Sequence, residues 1–360
     1  MEQGLPPYGA CNLAHILLPV FFDENTKSLN YNDLKKAIQL GIRAQDIFID
    51  YSYYFSEQNE KVQKAERRIG QGTIGLGTLL IKEKITYGSP ESIEYINKLF
   101  AKISYWQTEA SIRLAEGKGA FPLYDYDRFI ESNHIVRLIE GWKKYLPNSP
   151  EFSVTQLLVD LKKYGIRNIT LSTQAPTGST GTMLNAYFEH NFQESISTGI
   201  EPFYSFDYYR ASRLGVEKQV VGLLTKYKEE HPEDPSYPGY FVKALDLSCQ
   251  EHIDVQAAIQ VWTDSSISKT VNCPETIPIS EVEKLFLYAY ERELKGITIY
   301  RDNSRNNQVL SEKKDNVKLE VHTEDEHLAK NLAICPICKA KAYNKHECIC
   351  LACNNSVCSL

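Results

Sequence analysis

The chain has 360 residues, 42% of them hydrophobic and 24% charged, and a formal net charge of −6. This composition predicts a folded chain with a substantial core, and the acidic balance argues against a surface that collects nucleic acid. The longest apolar run is far shorter than the ~20 residues of a membrane helix, and the N-terminus lacks the pattern of a secretory signal, so we predict a cytoplasmic protein that binds neither membranes nor nucleic acid directly.

Helical periodicity dominates the first half of the chain. Spaced Leu and Ile residues predict a helix from Tyr31 through Ile47, and a second long helix is predicted from Glu91 to Ala115. A further helix ends near Gly165, and Ile169–Leu171 is predicted as a short buried strand that enters a polar turn. Strands that end in polar glycine turns are typical ligand sites of α/β proteins.

The same order recurs near residue 290. Ser280 and Glu283 fit a capping box, Gly296 is predicted to end the helix, and Ile297–Tyr300 is predicted to be a strand. Helix, glycine and short apolar strand thus occur twice, which predicts an α/β sheet or barrel with buried strands. We expect this α/β domain to span residues 1–310, followed by a charged linker at 311–330 and a Cys-rich tail at 331–360.

Gly70-Gln71-Gly72-Thr73-Ile74-Gly75 matches the glycine spacing of dinucleotide-binding loops. The residues that precede it are charged and helical, whereas the motif requires a buried strand there. The interpretation that we favour is that these glycines permit close packing or a helix entry.

A second glycine-containing segment offers hydroxyls and backbone N–H groups suited to phosphate oxygens. Its candidate ligand-binding residues are Ala175, Pro176, Thr177, Gly178, Ser179 and Thr180. It has no lysine, so it is not a Walker loop, and an ordinary hydroxyl-rich turn remains the alternative. Glu201, in Gly199-Ile200-Glu201-Pro202, is either a site carboxylate or a solvated turn residue.

Six of the nine cysteines lie in the last 26 residues, at positions 335, 338, 348, 350, 353 and 358. Cys335-x-x-Cys338 and Cys350-x-x-Cys353 have the spacing of a zinc ribbon, with His346 as a possible substitute ligand. Cys353 and Cys358 instead fit a mobile dithiol that exchanges disulfides. Cys11 is predicted to be reactive, and Cys249 and Cys273 are predicted to be inert core residues.

Ordered segments over nearly the whole chain resemble the C-terminal half of the large chain of adenosylcobalamin-dependent (class II) ribonucleotide reductases. They are Pro7–Leu13, Arg67–Gly70, Gly117–Pro122, Ala175–Gly178, Gly199–Pro202, Gln256–Ala258, Ser268–Asn272 and Lys295–Asp302. The resemblance implies the C-terminal half of a ten-stranded α/β barrel with a zinc-ribbon-like tail.

It also implies the reaction, in which a hydrogen replaces the ribonucleotide 2′-hydroxyl through thiyl-radical chemistry that depends on adenosylcobalamin. Cys11 matches a reducing thiol and Glu2 the catalytic glutamate, while Ala175–Thr180 would hold the substrate phosphates. Cys353 and Cys358 match the shuttle that reduces the buried pair, which leaves Cys335, Cys338, Cys348 and Cys350 as zinc ligands. The interval between Cys348 and Cys350 is one residue shorter than is usual in the family.

The implied partners are a ribonucleoside di- or triphosphate, a thioredoxin-type reductant and a complementary N-terminal reductase chain. The family places its thiyl cysteine in an Asn-Pro-Cys-Gly-Glu segment, and this chain begins Met1-Glu2-Gln3-Gly4. We therefore expect the chain to be inactive alone. The alternatives are an inactive fragment or a zinc-ribbon binding module, which would predict a basic face.

Overall fold

A computed structural model describes residues 2–192, 194–212, 215–233 and 236–304, and short backbone stretches at 310–311, 332–334, 341–344 and 349–350. Contacts divide the chain into two compact units, 1–207 with 220–304, and 208–219 with 305–360.

The helices lie in the first unit. They are α1 (Tyr31–Tyr51), α2 (Glu57–Glu66), α3 (Leu76–Lys82), α4 (Pro90–Lys118), α5 (Tyr126–Ile130), α6 (Asn133–Tyr145), α7 (Val154–Tyr164), α8 (Gly178–Phe192), α9 (Gly222–Glu230), α10 (Cys249–Gln260) and α11 (Ile279–Glu291). The strands are β1 (Leu13–Leu17), β2 (Phe22–Asp23), β3 (Ser28–Leu29), β4 (Gly70–Ile74), β5 (Asp207–Ser212), β6 (Gly215–Val220), β7 (Thr270–Cys273), β8 (Thr298–Arg301), β9 (Leu310–Ser311), β10 (Leu332–Ile334), β11 (Lys341–Asn344) and β12 (Ile349–Cys350).

Parallel pairing organises the strands of the first unit. β1 pairs with β4, from Leu13 opposite Gly70 to Leu17 opposite Ile74. Isolated parallel bridges continue the series, from Gln71 to Ser172 and from Gln174 to Ile267. β7 and β8 form a second parallel pair, and β2 and β3 form a short antiparallel one. The strand predicted at 169–171 corresponds to an extended segment, and its β-bridges lie just after these residues, at Ser172 and Gln174.

The expected barrel is not closed among the described residues. β1 pairs only with β4 and β8 only with β7, so each has a side without a strand neighbour in the part of the chain that the structure describes. Closure of a sheet requires every strand to have two neighbours. The α/β prediction is confirmed at the level of mixed helices and parallel strands, and the ten-stranded barrel is not seen.

Strand β4 separates two environments. Its Gln71 side chain points toward the helices, donating to Ile38 O at 3.1 Å and accepting from Gln107 Nε2 at 3.1 Å. On this side α4 contributes the fully buried Trp106, and Trp142 of α6 donates to Ser104 Oγ at 2.9 Å. We call this the helix face of β4 and the opposite side its inner face.

The predicted starts of α1 and α4 are confirmed to within one residue, whereas both helices end later than predicted, at Tyr51 instead of Ile47 and at Lys118 instead of Ala115. Asn30 and Ser89 cap the N-termini of α1 and α4, and α7 ends at Tyr164, followed by Gly165 as its C-cap with φ +73°. The capping box predicted at Ser280 and Glu283 is wrong. α11 begins at Ile279 after Pro278, so Ser280 already lies in its first turn, and the helix ends at Glu291 rather than at Gly296.

A fully buried carboxylate, Asp46 of α1, joins three distant cations. Arg67 approaches it at 2.7 Å, Lys118 at 3.2 Å and Arg167 at 3.3 Å. Asn168 adds an amide donor at 3.3 Å. This cluster fixes α1 to the turn before β4 and to the segment that precedes Ser172.

The second unit contains two described groups of strands. One has the order β6–β5–β9, with Tyr209 opposite Ser311 in an antiparallel pair. The other is an antiparallel sheet of β10, β11 and β12. The linker predicted at 311–330 lies outside the described residues apart from Ser311, so the three-part division of the chain stays a prediction.

We expect Asp46→Ala to destabilise the fold by about 3–5 kcal/mol, because the buried Arg67 would keep only the partly exposed Asp50 as an ion-pair partner and Arg167 would lose its own. The control is Glu60→Ala, which removes the exposed pair with Lys64 and should cost about 0–1 kcal/mol. Urea unfolding followed by tryptophan fluorescence measures both. Equal effects of the two substitutions would show that the cluster contributes no more than a surface ion pair.

Candidate active site

The N-terminal segment, Glu2–Gln3, lies against the strands. Glu2 O accepts hydrogen bonds from Thr173 Oγ1 at 2.6 Å and from Ser266 N at 2.8 Å. Gln3 is buried and its Nε2 donates to Ile69 O at 3.2 Å. The segment is therefore tied to the start of β4 and to the two extended segments that follow it in the parallel series.

Two glycines on the inner face of β4 make room for this segment. A Cβ on Gly70 would lie 2.6 Å from both Gln3 Nε2 and Thr173 Cγ2. One on Gly72 would lie 2.4 Å from Thr173 O and 2.8 Å from the His15 ring. These glycines lie within a strand instead of following one, so the close-packing interpretation is confirmed and the dinucleotide motif does not apply.

Cys11 lies just before β1 and is exposed. Its Sγ donates to Gln3 Oε1 at 3.0 Å. Partial burial and the Glu2 carboxylate both raise the thiol pKa, and the Arg68 guanidinium opposes them without cancelling them. The thiol therefore stays protonated at neutral pH, which suits a group that delivers hydrogen more than one that attacks as a thiolate.

His15 is a site residue that the sequence did not single out. Burial lowers the pKa of its imidazole to about 4, against the smaller effect of the Glu2 charge. Its Nε2 is buried and has no hydrogen-bond partner among the described residues. The eight histidines of the sequence show no spacing typical of ligands, so no sequence pattern indicated His15. Its place in the site follows from the pairing of β1 with β4, which puts His15 opposite Gly72.

The predicted phosphate turn, Ala175–Thr180, is partly helical. Ala175–Thr177 form a loop, and Gly178, Ser179 and Thr180 are the first residues of α8, which corrects the expectation of a continuous turn. Thr177 has φ +51°, and its Oγ1 accepts from Gly199 N at 2.8 Å. The predicted phosphate ligands thus surround a helix N-terminus, where backbone N–H groups favour anions.

Glu201 is not a solvated turn residue. Its Oε2 accepts from Lys269 Nζ at 2.8 Å and its Oε1 from Thr270 N at 2.6 Å. Lys269 is fully buried, and burial lowers the pKa of its ammonium against the opposing effect of Glu201. Glu201 thus pairs with a lysine that sequence reasoning missed, since 68 residues separate the two.

The pairing register orders these groups along the strands. Cys11 lies two residues before Leu13, which pairs with Gly70 at the start of β4. The bridge between Gln71 and Ser172 puts the next residue, Thr173, level with Gly72. The turn begins two residues later, so Cys11 and Ala175 are about six positions, roughly 20 Å, apart along the strand direction. Glu2, bonded to Thr173, lies between them.

The remaining residues that the sequence singled out are the other cysteines and His346. Cys249 and Cys273 are buried as predicted, with their sulfurs 2.9 Å apart. In the tail, Cys335, Cys338, Cys348, Cys353, Cys358 and His346 lie outside the described residues, as does the side chain of Cys350. The described residues contain no group of three or more side chains able to hold a metal ion.

A separate cavity of about 340 Å³ lies near α5 and α6, lined by Phe121, Arg128, His134 and Asp264 among others. None of the predicted site residues lines it. No helix among the described residues has the length and apolarity needed to cross a membrane.

Comparison with known families decides the relationship. The family described as "Ribonucleotide reductase, barrel domain" matches residues 1–300. The chain belongs to this family. The family prediction made from the ordered segments is therefore confirmed, including its placement in the C-terminal half of B12-dependent reductases.

Several similar proteins are named "Vitamin B12-dependent ribonucleoside-diphosphate reductase". The one from Thermoplasma acidophilum is 28% identical over 94% of this chain and 42% of its own length. The one from Mycobacterium tuberculosis is 28% identical over 86% of this chain and 42% of its own length. "Ribonucleoside-diphosphate reductase subunit alpha" of Buchnera aphidicola is 28% identical over 80% of this chain and 36% of its own length. The chain spans less than half the length of these relatives.

We expect Glu2→Gln to speed alkylation of Cys11 by iodoacetamide at pH 8. The substitution removes the negative charge that raises the Cys11 pKa, so more thiolate is present at this pH. The matched control is Glu140→Gln, an exposed carboxylate of α6 whose charge does not act on Cys11. Peptide mass spectrometry gives the rate at Cys11. Identical rates in wild type and Glu2→Gln would contradict the assigned electrostatic contact.

Proposed function

We propose that the chain is the C-terminal part of the catalytic component of a vitamin B12-dependent ribonucleoside-diphosphate reductase. The proposal assigns Cys11 and Glu2 to the chemistry at the ribose and the phosphate turn to substrate binding. Support comes from the family membership and from the names of the relatives. The structural support is the order of these three groups along the strands.

The order Cys11, Glu2, phosphate turn matches the order of groups on a ribonucleotide. C2′ is where reduction occurs, C3′ follows, and the 5′-phosphates lie beyond C4′ and C5′. A substrate whose phosphates bind at the N-terminus of α8 and whose ribose points toward Cys11 would place its 3′-hydroxyl on the side of Glu2. This order of Cys11, Glu2 and the phosphate turn along the strands is the single observation that carries the proposal.

The residues then have distinct tasks. Glu2 accepts the proton of the 3′-hydroxyl after the 3′-hydrogen has been abstracted, which favours loss of the 2′-hydroxyl as water. Cys11 and a second cysteine supply two hydrogens in total and become a disulfide, so that ribonucleotide and dithiol give deoxyribonucleotide, disulfide and water. Cys353 and Cys358 would reduce that disulfide by thiol exchange and would be recharged by a thioredoxin-type reductant.

Adenosylcobalamin, when bound, supplies the radical that forms the hydrogen-abstracting thiyl. The described residues include no group that we assign to its binding, so the steps above involve only this chain's side chains and its substrate. Zinc is proposed at Cys335, Cys338, Cys348 and Cys350, where four thiolates would suit a tetrahedral structural ion. The thiyl cysteine and the second reducing thiol are proposed to lie on a complementary N-terminal reductase chain.

Co-expression with such a complementary chain should give a complex that reduces ribonucleoside diphosphates when adenosylcobalamin and a dithiol are added. Cys11→Ser should abolish turnover, because a hydroxyl cannot form the disulfide. Cys249→Ala, a buried cysteine outside the site, should retain activity as the matched control. Deoxyribonucleotide formation is measured by chromatography. Absence of both a complex and cobalamin-dependent reduction would refute the proposal.

We expect Gly199→Ala to weaken binding of a ribonucleoside diphosphate about tenfold, since a left-handed non-glycine residue costs about 1–2 kcal/mol. Gly199 has φ +49°, and an added Cβ would lie 2.9 Å from Ala175 O. Gly117→Ala is the control because nothing lies within 4 Å of its Cβ position. Calorimetric titration with cytidine 5′-diphosphate tests this, with circular dichroism to check folding. Unchanged affinity in a folded Gly199→Ala protein would argue against phosphates at this turn.

A further inference from the structure

We propose that Lys269 is a positioning residue for phosphate recognition. Its buried ammonium holds the support loop, residues Gly199–Pro202, and this loop in turn holds the phosphate turn in its binding conformation. The inference rests on the proposed function and extends it, because it names a residue that shapes the phosphate site without touching the substrate.

Lys269 uses all of its hydrogen-bonding capacity within the protein. Its Nζ lies 2.8 Å from Glu201 Oε2, 2.9 Å from His252 Nδ1 and 3.1 Å from Thr270 O. An ammonium has three N–H groups, and each has one acceptor here. No donor is left over for a ligand, so Lys269 acts through its partners.

The tautomer of His252 determines which atom donates in its hydrogen bond with Lys269. Its Nε2 lies 2.9 Å from Ala244 O, and a carbonyl oxygen can only accept, so Nε2 carries the proton. Burial and the neighbouring Lys269 charge lower the pKa of His252 to about 3, which keeps the ring neutral. Nδ1 is therefore an acceptor aimed at Lys269. The histidine thus stabilises the lysine as a cation instead of competing with it.

Glu201 connects Lys269 to the support loop. Both of its carboxylate oxygens are bound, one by Lys269 and one by the backbone N–H of Thr270. Its own N–H donates to Thr198 O at 2.9 Å, and the neighbouring Ile200 O accepts from the buried Tyr87 hydroxyl at 2.7 Å. The start of β7 thus fixes the carboxyl half of the loop.

Gly199 connects the loop to the phosphate turn. Its N–H donates to Thr177 Oγ1 at 2.8 Å, and its carbonyl accepts from Gly75 N at 3.1 Å and Leu76 N at 3.3 Å. The Thr177 hydroxyl bond holds a residue whose φ of +51° is unfavourable for a side chain with a branched Cβ. Lys269, Glu201, Gly199 and Thr177 therefore form a continuous chain of contacts that ends at the N-terminus of α8.

A stability role alone does not explain a buried ion pair at this position. Replacing such a pair with apolar residues of similar volume is often neutral or stabilising. An ion pair with fully satisfied hydrogen bonds instead specifies one geometry, which is what a phosphate site at a helix N-terminus requires. We therefore expect the pair to affect phosphate recognition selectively.

The test compares binding of cytidine 5′-diphosphate with binding of cytidine to the full chain by calorimetry. The ratio of the two affinities isolates the contribution of the phosphates. Glu201→Gln and Lys269→Met/Glu201→Leu should each reduce this ratio about tenfold or more while cytidine affinity is unchanged, because misplacement of binding groups is costly. Glu201→Gln is nearly isosteric and carries the test if the double variant does not fold.

Asp50→Asn is the matched control, because it weakens the ion pair with Arg67, far along the chain from the support loop. It should lower the urea midpoint and leave the affinity ratio unchanged. A wild-type protein that binds both ligands equally would overturn the proposed phosphate site and the inference with it. A wild-type preference for the diphosphate that survives in both variants, or equal loss of both affinities, would overturn the inference alone.

Discussion

The absence of a Cβ at Gly70 and Gly72, on the inner face of β4, is the constraint on which the candidate site depends. Gly70 and Gly72 leave space that Gln3, His15 and Thr173 occupy, and any Cβ at either position would overlap them. Because these neighbours come from three separate parts of the chain, a single strand brings the N-terminal segment, β1 and the following extended segment together. The Glu2 carboxylate raises the pKa of Cys11 because this convergence brings the N-terminal segment close to the residues that precede β1.

The polar side chains of β4 perform the complementary task on its helix face. Gln71 bonds α1 and α4, and Thr73 donates from both N and Oγ1 to Gln174 Oε1 at 2.9 and 3.0 Å. Buried amides and hydroxyls are tolerated here because each finds a partner. The strand therefore combines two requirements in alternate residues, with glycine where segments must approach closely and polar side chains where Gln71 holds α1 and α4 and Thr73 holds the neighbouring extended segment.

Local patterns in the sequence predicted the helices well and the site only in part. α1 and α4 were predictable because apolar spacing and caps are encoded within one segment. The capping box at Ser280 failed because Pro278 begins the helix earlier. Lys269, His252 and His15 were not predictable, since their roles arise from contacts between residues 17 to 68 positions apart or from the pairing of β1 with β4. The family resemblance supplied the roles of Cys11 and Glu2, which no local pattern could connect.

The inner glycines also define the register of β1 on β4. Side chains alternate between the faces of a strand, so a slip of one residue would exchange one face for the other. A slipped β1 would bring Gln71 or Thr73, instead of Gly72, opposite His15, and would turn the His15 ring away from the inner-face space that Gly72 leaves open. The observed register is thus the one that places the ring in this space. Because this register also sets the order of Cys11, Glu2 and the phosphate turn, the packing that excludes a slip is the same packing that would align a nucleotide with its reacting groups.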